Sequence, residues 1–243
     1  MPAGLQGTSV QHTYKFNLPA LNSTNYLTLP PFANIIFTTT KRKTIMLSYE
    51  PTLQEYAVNE QVYLQQHPKY DVLCTGVVVF DKDGKLLIVQ RAADEKAFPN
   101  MWVSIDPTLA RCVCLLRTSN KSQEIPGGKV DDTDETLLHA AVRELKEETG
   151  LTATRVRRKV AELTFEDGRP GRKPVTWLKL IFEMEVENTN VALDPVEHQQ
   201  YLFASEDEIV EDLVGGVRLA YISPPNKQVK LDAFRQQKEA ILS

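Results

Sequence analysis

Cysteine is scarce in this 243-residue chain, limited to Cys74, Cys112 and Cys114. An odd, sparse set builds no disulfide framework and suits a reducing compartment, so a cytoplasmic setting is expected, with the nucleus not excluded. Cys112 and Cys114 have the look of half a metal site, but the sequence holds no second pair to complete it. No apolar run reaches the roughly 20 residues that cross a bilayer. The first residues lack a basic start followed by an apolar core, so no secretory signal is expected, and the sequons at Asn22 and Asn120 carry no meaning without export. Excess positive charge is also missing, with 28 Lys and Arg against 32 Asp and Glu and a net charge of -4. That balance argues against a general nucleic-acid or membrane surface. It leaves a nucleotide substrate open, because a metal can meet the phosphates. There is no internal repeat, which sets aside solenoids and propellers.

What remains is ordinary globular composition, 42% hydrophobic and 25% charged, enough for one large domain with extensions. Residues 1–45 are poor in charge and rich in Thr, Asn and Pro, with one apolar cluster at Ile35, Ile36 and Phe37. They read as a disordered extension, and Met46 offers an alternative start. Residues 46–69 read as a helical lead-in, with a helix over 48–66 that ends before Pro68. The valine-rich stretch 74–80 reads as a strand. Asp83-Gly84 signals a hairpin, and 85–91 reads as the returning strand. Further strands are expected over 154–165 and 175–186, and a loop leading into a short strand over 193–202. Ser205 with Glu208 three residues on predicts a capping box and a helix to residue 213. Residues 226–242 read as a terminal helix.

Residues 127–151 read GGKVDDTDETLLHAAVRELKEETGL. Leu138, Ala141, Val142 and Leu145 recur at i, i+3, i+4 and i+7, one apolar stripe of a helix. Asp132 or Asp134 is expected to cap its start, and Gly150 suits the left-handed position past its end. Glu144, Glu147 and Glu148 share another face. Like charges on neighbouring turns cost a helix about 0.2–0.5 kcal/mol per pair. Two readings stand: a solvated acidic face, or a site where a divalent cation relieves the repulsion, with hard oxygens suited to Mg²⁺ or Mn²⁺.

The surroundings decide between them. Glu135, seven intervening residues, then Arg143-Glu144-Leu145-Lys146-Glu147-Glu148-Thr149-Gly150-Leu151 resembles the Nudix box, in which a glycine, five residues, a glutamate and seven residues lead into REUxEExGU, with U bulky and aliphatic. One spacing departs from it, since six residues separate Gly128 from Glu135. A loop absorbs one insertion cheaply, so the departure touches the placement of Gly128 and its neighbours rather than the carboxylates.

The resemblance implies an α/β fold, a mixed-sheet α/β/α sandwich over about residues 70–222, and the helix read from the sequence then falls in a C-terminal segment, 223–243. It implies hydrolysis of a nucleoside diphosphate linked to another group, with Mg²⁺ (or Mn²⁺) held by Glu144, Glu147 and Glu148. Arg143 then orients a glutamate by a charge-assisted fork, or else forms an ordinary surface ion pair, and Glu135 either assists through water or pairs with Arg143. Gly127 and Gly128 let the backbone turn tightly beside metal and substrate. The general base in such enzymes often lies outside the box, and Glu197 in DPVEHQ is the candidate; His198 and His139 read as surface or packing residues. Phe98 and Trp102 are candidates for stacking on the base, with core packing as the other reading. Arg169, Arg172 and Lys173 either meet a terminal phosphate or form a solvated turn.

In the family a tryptophan like Trp102 commonly runs directly into the glycines, but here residues 103–123 intervene. Without them the chain would read FPNMWEIPGGKV. They are either an insertion that touches substrate or a retained intron, which the codons permitted by Val103, Ser104 and Gln123 allow. A rival reading of the whole chain is a nucleotide-binding module that keeps the fold and lacks turnover; an RNA-directed role lacks a basic surface. Oligomeric state is not legible.

Overall fold

Period-two alternation on the strands sorts the apolar side chains into two cores. A computed structural model describes residues 34–40, 43–93, 126–167, 173–221 and 224–242, all within the unit Phe32–Ser243. Phe98, Trp102, Cys112, Cys114, Arg169, Arg172 and the 103–123 insertion lie outside the described residues. A five-stranded sheet runs in the order β1 (Asn34–Thr40), β2 (Lys43–Tyr49), β5 (Ala153–Asp167), β6 (Val175–Val186), β3 (Val72–Val78). The β1/β2 and β5/β6 pairs are antiparallel, and β2/β5 and β3/β6 are parallel, so the sheet is mixed. A two-stranded ribbon pairs β4 (Leu86–Arg91) with β7 (His198–Ala204), and β8 (Leu213–Val214) pairs with β9 (Val217–Arg218).

Leu73 and Val77 of β3 and Leu178, Leu180 and Phe182 of β6 join one core, together with helix α2 (Leu137–Thr149). Val78 and Ile181 face the other way. They join a second core with Ile209 of α3 (Glu206–Glu211) and Val229, Ala233 and Phe234 of α4 (Pro224–Leu242). The protein is an α/β fold with helices on both faces of the sheet. On α2, Leu138, Ala141 and Leu145 are fully buried. A buried leucine is worth about 1.5–3 kcal/mol, so this stripe anchors the helix on the sheet.

Several expectations are corrected. Strands β1 and β2 stand in or across the end of the segment read as unstructured, because NIIFTTT and KTIMLSY are rich in β-branched residues that suit a paired ladder. The helix read over 48–66 is three pieces. β2 ends at Tyr49, Pro51 opens a 3-10 turn, and the Asn59 side chain accepts from the Val62 N–H at 2.9 Å to start α1 (Glu60–Gln66). β4 does not return along β3; beyond the Phe80–Leu86 bridge it pairs with β7. Its residues 86–90 are buried on both sides, and lying between the two cores buries both rows at once. The capping box of Ser205 and Glu208 is formed as expected. Among the described residues no helix is long and apolar enough to cross a membrane.

Candidate active site

Residues 126–130 run antiparallel beside β3. Val77 N–H donates to Pro126 O at 2.8 Å, Thr75 N–H to Gly128 O at 2.8 Å, and Val130 N–H to Leu73 O at 3.1 Å. This pairing presses two glycines between the sheet and α2. At Gly127, φ is 151°, and a Cβ would lie 2.1 Å from Thr75 O. At Gly128 a Cβ would lie 2.5 Å from Glu144 Oε2. Glycine is required at the first position by backbone, whereas at the second the close neighbour is the movable end of a side chain.

Helix α2 begins at Thr136, whose side chain accepts from the His139 N–H at 3.2 Å. The cap is thus neither Asp132 nor Asp134. Gly150 closes the helix at φ 69°, as expected.

Asp134 is engaged by Arg143. The guanidinium donates from Nε to Asp134 Oδ1 at 3.0 Å and from Nη2 to Asp134 Oδ2 at 2.9 Å. Nη1 also donates to Glu144 Oε1 at 2.7 Å and to Glu147 Oε2 at 2.9 Å. The expected fork exists, but its carboxylate is Asp134. Glu135 is instead 79% exposed at its side chain and 3.9 Å from His139. The one-residue departure explains this. Five residues separate Gly128 from Asp134, and seven separate Glu135 from Arg143, so no residue meets both spacings. The seven-residue spacing to Arg143 selects Glu135, and the five-residue spacing from Gly128 selects Asp134. The Asp134 bonds hold the Arg143 guanidinium firmly charged.

Glu144 and Glu148 are buried, at 8% and 4% exposure, whereas the Glu147 side chain is 58% exposed and turned to Arg143. Glu148 Oε2 accepts from the Gly127 N–H at 2.9 Å. Glu197 stands just before β7, its carbonyl taking the Ala92 N–H at 2.7 Å. Gly127, Gly128, Arg143, Glu144, Glu148 and Glu197 line one cavity of about 440 Å³, with Arg91 and Lys129 also on its wall. The structure therefore brings together five of the seven sequence-predicted site residues that it describes, plus Arg143 as their clamp, and leaves Glu147 on the helix surface. Lys173 is exposed, 3.9 Å from Asp71, which fits the solvated-turn reading. Burial pushes the Cys74 thiol up to about 11, so it stays protonated at neutral pH and offers no nucleophile.

Burial raises the Glu144 carboxyl above its ordinary 4.5, and the Arg143 contact opposes this without overcoming it. Glu147 and Glu197 add repulsion. The folded chain therefore holds this proton more tightly than the unfolded chain. No penalty exists below the unfolded value; it grows as pH rises from there through the raised folded value, and stability falls across that window. In chelator, Glu144→Gln is expected to gain thermal stability relative to the parent as pH rises from 4 to 7. Melting curves of both proteins check this, and a gap that does not change with pH would count against it.

Among the described residues no group of three or more His, Cys, Asp or Glu side chains forms a ready-made metal cage. The donors do fit a hard divalent cation. Two buried carboxylates and a third from Glu197 open on one cavity, the repulsion among them raises the cost of ionisation, and the missing Cβ of Gly128 leaves room for the Glu144 carboxylate against the backbone.

A glycine turn beside a sheet edge, followed by an acidic helix on a mixed α/β/α fold, defines the Nudix hydrolase class. The family model described as NUDIX domain matches residues 72–220, and the chain belongs to that family. Among solved structures it is similar to the MutT protein from Methanosarcina mazei Go1, at 19% identity and a TM-score of 0.46, covering 69% of this chain and 94% of that one. It is also similar to the E. coli ORF135 protein, at 22% identity and a TM-score of 0.44, covering 70% and 96%. A C. elegans Ap4A hydrolase binary complex matches at 20% identity and a TM-score of 0.40, covering 70% and 98%. A comparison with curated proteins returned no match.

Proposed function

We propose that the chain hydrolyses the pyrophosphate linkage of a nucleoside diphosphate joined to another group, with Mg²⁺ or Mn²⁺ bound by Glu144 and Glu148 and assisted by Glu147. The observation that carries this is that Glu144, Glu148 and Glu197 line one cavity together with Gly127 and Gly128. When bound, the cation neutralises charge on phosphate oxygens and lowers the pKa of a water. The chain's own residues do the rest. Arg143, tied to Asp134, holds Glu144 at the cavity wall. The Gly127 N–H fixes one oxygen of Glu148. The Glu197 carboxylate takes the proton of the attacking water. Gly127 and Gly128 line the cavity that takes the substrate's phosphates, and Phe98 and Trp102 are assigned to its base. A net charge of -4 favours a small nucleotide derivative over nucleic acid or a membrane surface, and the sparse cysteines favour a cytoplasmic setting.

A panel of nucleoside diphosphate derivatives, with phosphate or monophosphate release followed with and without Mg²⁺, tests the reading; no release from any member would point to the binding module. If Glu197 is the base, Glu197→Gln lowers kcat by about 10²–10⁴-fold with little change in KM. A change confined to KM would make Glu197 a binding residue.

A further inference from the structure

The last residue before β7 and the first residue of that strand, Glu197 and His198, both reach the site. Glu197 lines the cavity. His198 stands beside Glu148, with its Nε2 3.8 Å from Glu148 Oε2. This distance is within ion-pair range and longer than a hydrogen bond. The His198 and Glu148 side chains are both nearly dry, at 2% and 5% exposure. Their placement follows from the backbone. Ala192 N–H donates to Thr149 O at 2.8 Å, and Asp194 N–H donates to Glu148 O at 3.1 Å, tying the turn to the end of α2. His198 N–H then donates to Asp194 O at 2.8 Å. A register shift between Gln90 and Arg91 sets His198 opposite Arg91, so the start of the strand is seated by β4 as well.

We infer that His198 is a positioning residue for Glu148, and the inference rests on the metal-site reading above. Glu148 Oε2 is held on one side by the Gly127 N–H, and the imidazole stands on another. Confined between them, the carboxylate is held in one orientation at the cavity wall. A buried carboxylate without such neighbours rotates, and a ligand that rotates binds a cation more weakly. The same turn carries Glu197, so His198 also fixes the spacing between the carboxylate that binds metal and the one that handles the water's proton. The packing role expected of this histidine thus has a direction: it orients one side chain.

The test uses the full chain. Mn²⁺ affinity is measured by calorimetry for the parent, for His198→Gln, whose amide keeps a polar group near the Nε2 position, and for His198→Leu, which fills space without one. Loss of a partner to a metal ligand typically costs about 10–100-fold in affinity. His198→Leu is expected to lose that much, and His198→Gln to recover most of it at a similar melting temperature. Equal loss in both variants, or parental affinity in His198→Leu, overturns the inference. A measurement on the unmutated chain guards against variants that fail to fold: the His198 ring resonances should shift on Mg²⁺ addition, and their constancy at saturating Mg²⁺ overturns it too. If the parent binds neither ion, the metal-site reading falls and the inference with it, a result distinct from normal parental binding with unaffected variants.

Discussion

Glu148→Gln is expected to lower turnover by about two to four orders of magnitude while leaving the fold in place. Stabilising phosphoryl charge through a cation is worth several kcal/mol, and each 1.36 kcal/mol is tenfold in rate. Glu148 is the most enclosed carboxylate of the helix, at 4% exposure, and the Gly127 N–H and His198 both stand against it. Glutamine keeps the shape but removes the negative charge and turns one oxygen into a donor. The stripe that anchors α2 lies on another face, so the melting temperature should change little. The measurement is kcat with Mg²⁺ beside a thermal melt. Parental turnover in a folded variant would remove Glu148 from the site, and lost turnover with a collapsed melt would make the residue structural.

The two glycines should separate stability from activity. Gly127→Ala places a Cβ 2.1 Å from Thr75 O and 2.6 Å from Gly76 Cα, both backbone atoms of β3, at a φ of 151°. Neither atom can move without breaking the ladder of β3 with residues 126–130. A loss on the order of 3 kcal/mol or more is expected, combining backbone strain with overpacking. Gly128→Ala meets the carboxylate of Glu144, the end of a side chain that can swing aside. Its stability cost should be about 1 kcal/mol, but the displaced carboxylate should lower activity by about 10²-fold, the scale of a 1 Å misplacement. Denaturant melts and kcat for each variant give the comparison. Similar melts for the two, or a fully active Gly128→Ala, would show that these close approaches do not govern the site.

Much of this was legible from spacing. The apolar stripe of α2, its closure at Gly150, strands β5 and β6, the capping box of α3 and the terminal helix α4 all follow from local periodicity and end signals. These carry information within a few residues of chain. The N-terminal hairpin was not legible, because Thr-rich strands without strict alternation look like any polar segment until β5 offers an edge. The path of β4 was not legible either. A turn signal at Gly84 predicts a reversal but not which partner wins, and burial between two cores favoured β7.

The site divides in the same way. The sequence by itself determined that Glu144, Glu147 and Glu148 share a helix face behind two glycines, since a helix repeats every 3.6 residues whatever surrounds it. Only the tertiary structure decided which of them face the cavity. Glu144 is buried beside Gly128 and Glu148 beside Gly127 and His198, while Glu147 meets Arg143 at the helix surface. It also decided that Asp134 rather than Glu135 takes the Arg143 fork, because the extra residue in the loop made spacing ambiguous and a bidentate contact demands a carboxylate at one place in space. The approach of Glu197 and His198 to the helix, across about fifty residues of chain, rests on long-range backbone pairing. No local pattern encodes that pairing.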